Sequence, residues 1–157
     1  MLEEIERQLQ EGKDIETLLE KYDWKKFEST ILEIFQENGF NTKQNFRFKT
    51  KGKHEIDVIA VRSSKIFCVD CKWWGRGRYK KSGLKKAVTS QENRVKEFQK
   101  FLKKNTIARS ILKINLGYTV YPLIVTLHEE DIIKENNAFV IPAWKLNRFV
   151  TDVEQYT

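Results

Sequence analysis

The stretch Glu55-Ile56-Asp57-Val58-Ile59-Ala60-Val61-Arg62-Ser63-Ser64-Lys65-Ile66-Phe67-Cys68-Val69-Asp70-Cys71-Lys72 decides how this chain folds. Its two runs, 55–61 and 66–71, are apolar on both faces and rich in β-branched and aromatic residues, the pattern of central strands covered by helices. Arg62-Ser63-Ser64-Lys65 between them reads as a tight hairpin. With the turn centred between Ser63 and Ser64, opposed residues share the index sum 127, and Asp57 and Asp70 satisfy it. The two carboxylates would then face each other with β-carbons about 4.5–5.5 Å apart. Like charges so placed destabilise a hairpin unless something neutralises them. Lys72, two residues past Asp70, points to the same face. Two readings fit. Either Asp57 and Asp70 sit at frayed strand ends with Lys72 as a salt-bridge partner, or a hard divalent cation such as Mg²⁺ takes their oxygens.

The flanking sequence reads as helices and further strands. Leu2, Ile5 and Leu9 recur at helical spacing up to Gly12, and Asp14 can cap a second short helix. Asp23 can cap a longer helix, Trp24 to Asn38, ended by Asn38-Gly39. Phe40 to Thr50 alternates Phe46 and Phe48 with Arg47 and Lys49, a half-exposed strand. After a basic loop from Trp73 to Lys81 comes a helix of about 20 residues, with Leu84, Val88, Val95, Phe98 and Leu102 on one side. Tyr118 to Leu127 is a strand interrupted by Pro122. Phe139–Ile141 is a last short strand, and Ala143 to Tyr156 a closing helix with Leu146, Phe149, Val150 and Val153 inward. These elements make a mixed α/β fold, with residues 1–22 as a helical extension and 23–157 as the domain.

Charge is distributed unevenly. The 157 residues carry 29 Lys and Arg against 22 Asp and Glu, a net of +7. Residues 1–40 hold 11 acids and 5 bases, residues 41–86 hold 14 bases and 3 acids, and the remainder is near balance. A concentrated positive band points to a polyanion such as nucleic acid. The three acids within it are Glu55, Asp57 and Asp70. No run is long and apolar enough for a membrane span, and the acidic N-terminus is unlike a secretory signal. Two cysteines without an export signal suggest a reducing cytoplasm. Cys68 and Cys71 spell C-x-x-C, but residues three apart on a strand point to opposite faces, so they read as buried structural thiols.

Glu28 is a second anomaly. Its helical neighbours Trp24, Ile31, Leu32 and Phe35 are all apolar, so its carboxylate lies on the core-facing stripe, where it is costly unless paired or ligating. Glu33, among Ser29, Thr30, Gln36 and Glu37, is an ordinary solvated residue. Gln91, bordered by Ala87, Val88, Val95 and Phe98, repeats the pattern more weakly. The alternatives are a Glu snorkelling to water and a satisfied helix-edge amide. Trp73-Trp74-Gly75-Arg76-Gly77-Arg78-Tyr79-Lys80-Lys81, followed by Lys85 and Lys86, interleaves aromatics with bases, which suits a phosphate-tracking loop as well as a solvated one. Lys51 and Lys53, with Lys43, Arg47 and Lys49, either flank the same groove or simply aid solubility. His54 and His128 read as surface histidines, His54 with a possible contact to phosphate or water.

Glu28 in a helix ending Asn38-Gly39-Phe40, then Glu55-Ile56-Asp57-Val58-Ile59-Ala60, then Val69-Asp70-Cys71-Lys72, together resemble the PD-(D/E)XK nuclease superfamily. The similarity is greatest to its restriction-endonuclease-like branch, which includes archaeal Holliday-junction resolvases and modification-dependent restriction enzymes. It covers roughly residues 24–127, and Ile56 replaces the proline that names the motif. The resemblance implies an αβββαβ core with a mixed central sheet flanked by helices. It implies Mg²⁺ or Mn²⁺ on Asp57, Asp70 and the Cys71 backbone carbonyl, with Glu28 ligating through water or completing a second site. Lys72 would orient the attacking water or stabilise the transition state, and Gln91 would position Lys72 or the substrate. The implied activity is metal-dependent DNA hydrolysis leaving a 5′-phosphate. The basic residues Lys51, Lys53, Arg76, Arg78, Lys80, Lys81, Lys85 and Lys86 would contact DNA alongside the aromatics Trp74 and Tyr79. A cytoplasmic homodimer without organic cofactor is expected. A non-cleaving DNA-binding module and an RNA-processing nuclease are the alternatives.

Overall fold

The computed structural model describes residues 7, 8, 10–12, 24–72, 81–126, 133–135 and 137–157. Helix α1 spans Trp24–Glu37. Phe27, Ile31, Ile34 and Phe35 recur at helical spacing and are buried. The helix stops where Asn38 Nδ2 donates to the Ile34 carbonyl at 2.8 Å and Gly39 takes a φ of +81°. That left-handed geometry favours glycine and closes a helix end. Phe40 then turns back edge-on against Phe35, ring centroids 5.3 Å apart.

Strands β1 (Asn41–Lys49), β2 (Lys53–Arg62) and β3 (Lys65–Lys72) follow as an antiparallel meander. Helix α2 (Lys81–Lys104) crosses one face and is followed by the short α3 (Thr106–Ile111). Strands β4 (Thr119–Thr126), β5 (Ile133–Glu135) and β6 (Ala138–Pro142) complete a sheet of order β1-β2-β3-β4-β6-β5. β3, β4 and β6 run parallel, so the sheet is mixed. The chain ends in a 3₁₀ turn, Ala143–Lys145, then α4 (Leu146–Thr151) and α5 (Val153–Tyr156).

Each sheet face buries its own core. On one, α1 and α4 cover Val58, Ala60, Phe67, Val69, Leu123 and Val125. On the other, Val95, Phe98 and Leu102 of α2 cover Phe48, Ile56, Ile59, Val61 and Ile66. This is the α/β architecture expected, with a mixed sheet between helical layers.

Several expectations change in detail. The closing helix is not continuous: Thr151 Oγ1 donates to the Asn147 carbonyl at 2.7 Å, and Asp152 leaves helical geometry at φ −104°, ψ 27°. Its four inward residues are buried all the same. Helix α3 was not anticipated, although Asn105 caps it by accepting from the Ala108 amide at 2.9 Å. Pro122 lies within β4 and pairs with Cys68 on one side. β6 joins only from Leu123 onward, so at Pro122 only one neighbouring strand asks for a donor. Of the 1–22 extension, residues 7, 8 and 10 are helical, Arg7 bridges Glu11 at 2.7 Å, and Gly12 sits at φ +84°. Among the described residues no helix is long and apolar enough to cross a membrane.

Candidate active site

The β2–β3 hairpin has the anticipated register. Five pairs from Arg62↔Lys65 to Val58↔Val69 share the index sum 127, and Ser63 turns the chain at φ +54°. The ladder ends one pair short of Asp57 and Asp70, so the two are not ladder partners. The reason is local. The Cys71 amide donates to Asp57 Oδ2 at 2.9 Å, so a side chain takes up a β3 donor where the pairing stops.

Asp57 is also where the sheet changes face. In the β1–β2 ladder Gln44↔Val58 and Phe46↔Ile56 are paired, but Asn45 and Asp57 between them are not, and Asn45 sits at φ +52°. On one side of this break Val58 lies in the α1 core and Gln44 reaches Glu28. On the other, Ile56 and Phe46 lie in the α2 core. Regular alternation would keep residues two apart on one face. The irregularity puts Asp57 where both helical layers converge.

Glu28 is 5% exposed on α1, and Gln44 Nε2 donates to its Oε2 at 3.1 Å. Its contrast residue Glu33 is half-buried, less solvated than its polar neighbours imply. Asp70 is 8% exposed; Lys72 Nζ lies 3.2 Å from its Oδ2 and Arg94 Nη1 3.8 Å from its Oδ1. Burial pushes the Asp57 carboxyl up from 3.8 to about 6. The Cys71 amide opposes the shift, the charges of Asp70 and Glu28 add to it, and Arg94 offsets them. Three carboxylates therefore share one field.

Gln91 is fully buried, and its Nε2 donates to the Cys68 carbonyl at 2.7 Å. Its Oε1 accepts a short bond from Arg94 Nη1. The amide thus ties β3 to α2 and holds Arg94 toward Asp70. Arg94 and Gln44 are the site residues that the sequence reading passed over. Arg94 stands three positions after Gln91, on the same helix face, which is the signal that could have found it.

Cys68 and Cys71 are free and buried in opposite cores, as strand geometry requires. Burial raises both thiols above their usual range. His54 stacks on Phe48 with centroids 5.0 Å apart, its Nε2 3.0 Å from Thr50 Oγ1. Lys85 and Lys86 are exposed near the start of α2, and Lys51 and Lys53 are exposed at the β1–β2 turn. Trp74, Arg76, Arg78, Tyr79 and Lys80, the side chain of Lys81, and His128 lie outside the described residues.

Comparisons with known proteins bear on this arrangement. An uncharacterized protein of Archaeoglobus fulgidus is 28% identical over 134 residues, covering 85% of this chain and 93% of that one. A crystal structure of a protein of unknown function, AF1548, is 22% identical with a TM-score of 0.41. That match covers 79% of this chain and 54% of the other, so this chain spans about half of that protein's length. The restriction endonuclease family model (Mrr_cat) matches residues 19–119, a span that runs from before α1 to the start of β4 and contains Glu28, Asp57, Asp70, Lys72 and Gln91. With a mixed sheet, an acidic residue on the first core helix and a D-x-K at the end of β3 already in place, that match is decisive: the chain belongs to the restriction endonuclease family.

Proposed function

We propose that this protein is a metal-dependent endonuclease that hydrolyses DNA phosphodiester bonds and leaves a 5′-phosphate, with Mg²⁺ or Mn²⁺ as cofactor. The observation that carries the reading is the gathering of Asp57, Asp70, Glu28 and Lys72 around the end of β3, in the most basic part of the chain. The donors suit a hard cation. Burial and neighbouring negative charge raise Asp57, and a cation there would relieve both effects. Among the described residues no three His, Cys, Asp or Glu side chains form a ready-made cage. Mg²⁺ needs none, since it keeps several waters and takes one or two carboxylates beside substrate phosphate.

Asp57, Asp70 and the Cys71 carbonyl would hold the ion, with Glu28 acting through water or at a second one. When bound, it would lower the pKa of a water and offset phosphate charge. Lys72, held 3.2 Å from Asp70, would orient that water, help remove its proton or stabilise charge developing on the phosphate. Gln91 and Arg94 brace β3 from α2 and fix the Asp70 side of the site. Lys51, Lys53, Lys85 and Lys86, with the 73–81 loop, would track phosphates. A homodimer would address two strands with two sites.

A second reading has one observation in its favour: both oxygens of Asp70 already face cations, Lys72 and Arg94. On that reading the protein binds DNA without cutting it. A cleavage screen separates the two, using linear, branched, modified and single-stranded DNA, and RNA, each with Mg²⁺ and Mn²⁺. We expect cleavage of at least one DNA that Asp70→Asn abolishes; no cleavage of any substrate refutes the enzyme.

A further inference from the structure

Two rails leave the carboxylates in the same direction. On α2, Glu97, Lys100 and Lys104 recur at three- and four-residue spacing and so share one helix face. Arg94, three residues before Glu97, borders that face and reaches Asp70. Lys104 lies ten residues further, about 15 Å along the axis. On β2, Lys53 precedes Asp57 by four residues, about 13 Å along the strand, and beyond it lie Lys51 in the turn and Lys49 at the end of β1. The rails are tied together where Thr50 Oγ1 donates to Glu97 Oε2 at 2.6 Å. His54 Nε2 lies 3.0 Å from the same hydroxyl.

Between them lies an open groove of about 490 Å³, lined by Lys49, Lys51, Glu97, Lys100, Phe101 and Lys104 among others. Lys100 Nζ meets Glu97 Oε1 at 3.1 Å, so the acid is partly neutralised within the groove. Four lysines and one glutamate leave it strongly positive. Among the described residues, half-buried Phe101 is the one apolar residue in its lining, beside the four lysines, Glu97, Thr50 and Asn105. Lysine ammonium groups on flexible stems suit phosphate as point charges, without base readout.

We infer that this groove binds the sugar–phosphate backbone of a duplex flanking the carboxylates, about four to five base pairs away from them. The choice of nucleic acid as occupant rests on the nuclease reading, whereas the groove and its charge do not. Because the Thr50–Glu97 bond holds the turn against α2, the groove is formed before the ligand arrives and little ordering cost is added on binding.

The test uses the full chain in chelator, with Asp70→Asn as the uncut parent, and reads duplex binding by fluorescence anisotropy against salt and duplex length. Lys49→Gln/Lys51→Gln/Lys100→Gln/Lys104→Gln in that background should weaken binding at least roughly tenfold at low salt and reduce the log–log salt slope by about 2–3. Its affinity should also stop rising with duplex length about four to five base pairs earlier than the parent's. The four Lys→Arg changes should restore the slope. Lys113→Gln with Arg148→Gln, which removes charge elsewhere, should leave it in place. Should the quadruple variant fail to fold by circular dichroism, Lys51→Gln and Lys104→Gln singly should each reduce the slope by about 1. An unchanged slope and length dependence, a comparable loss in the control, or no duplex binding by the parent overturns the groove. Wild-type cleavage with Mg²⁺ is scored separately. Groove-dependent binding without cleavage removes the nuclease reading alone, and cleavage with an unchanged slope removes the groove alone.

Discussion

Replacing Asp57 by asparagine keeps the shape and the acceptor for the Cys71 amide while removing the charge. In the folded protein this carboxyl is raised from 3.8 to about 6, chiefly by burial and further by Asp70 and Glu28. A carboxyl raised on folding stabilises the fold most below its unfolded value, and the contribution is lost as pH rises through the folded one. In chelator, wild type should therefore lose stability relative to Asp57→Asn between pH 4 and about pH 6, and stay behind above that. The gap between 3.8 and about 6 corresponds to ~3 kcal/mol at most. Asp57 is only half-buried, and water screens it, so about 1–2 kcal/mol is the expected gain for the variant at pH 8. In a chain of this size that is roughly 3–6 °C in Tm. Adding Mn²⁺ at pH 8 should reverse the order, because only the wild type keeps both carboxylates for the ion to stabilise. Thermal and urea unfolding with and without Mn²⁺, from pH 4 to 8, supply the readout. A variant no more stable than wild type at pH 8 in chelator refutes the burial and crowding argument. Equal stabilisation of both proteins by Mn²⁺ refutes Asp57 as a ligand.

Asp70→Asn should abolish Mg²⁺-dependent cleavage while DNA affinity in chelator stays level or rises, checked by gel assay and anisotropy; weaker binding would contradict the assignment. Arg94→Ala removes a cation 3.8 Å from Asp70 and should tighten Mn²⁺ binding several-fold by calorimetry, and unchanged affinity would show that Arg94 does not compete for that carboxylate. Gln91→Leu leaves the buried Cys68 carbonyl without its side-chain donor and should cost about 1–3 kcal/mol in urea unfolding. Phe98→Ala opens a cavity against Phe46 and Phe48 and should cost about 3–5 kcal/mol, with a loss below 1 kcal/mol arguing against its place in the core.

What could be read along the chain was whatever depends on local periodicity. Glu28 betrayed itself because helical spacing surrounds it with apolar residues, and it is buried. The hairpin register followed from a two-residue turn, since pairing counted outward from Ser63 and Ser64 admits one sum. Opposite burial of Cys68 and Cys71 followed from strand alternation in the same way. Features set by meetings between distant elements were not legible. Arg94 faces Asp70 only because α2 crosses the sheet at the angle that brings Gln91 over the Cys68 carbonyl. Gln44 reaches Glu28 across 16 residues of chain, and no local pattern marks it. The break in the closing helix depends on Thr151, whose hydroxyl also reaches Asn38 Oδ1 at 3.3 Å.

The face change at Asn45 and Asp57 explains why a site can be assembled from both layers at all. In a regular strand a side chain meets one layer or the other. Asp57 is nonetheless within the field of Glu28, carried by α1 on one face, and of Arg94, carried by α2 on the other. The unpaired Asn45–Asp57 position and the early end of the β2–β3 ladder leave room for that, because neither neighbouring strand fixes the backbone there by pairing. Restoring regular pairing should then harm the site more than the fold. Asn45 holds a left-handed φ of +52°, which a β-branched residue adopts only at a cost. Asn45→Val should favour an extended backbone at that point, drawing Asp57 toward one layer. Amide hydrogen exchange at Cys71, whose donor now goes to Asp57 Oδ2, reports the change directly. Faster exchange at Cys71 with the Phe98 core still protected is the expected result. Unchanged exchange at Cys71 in a folded Asn45→Val protein would mean that the irregular pairing does not govern where Asp57 sits.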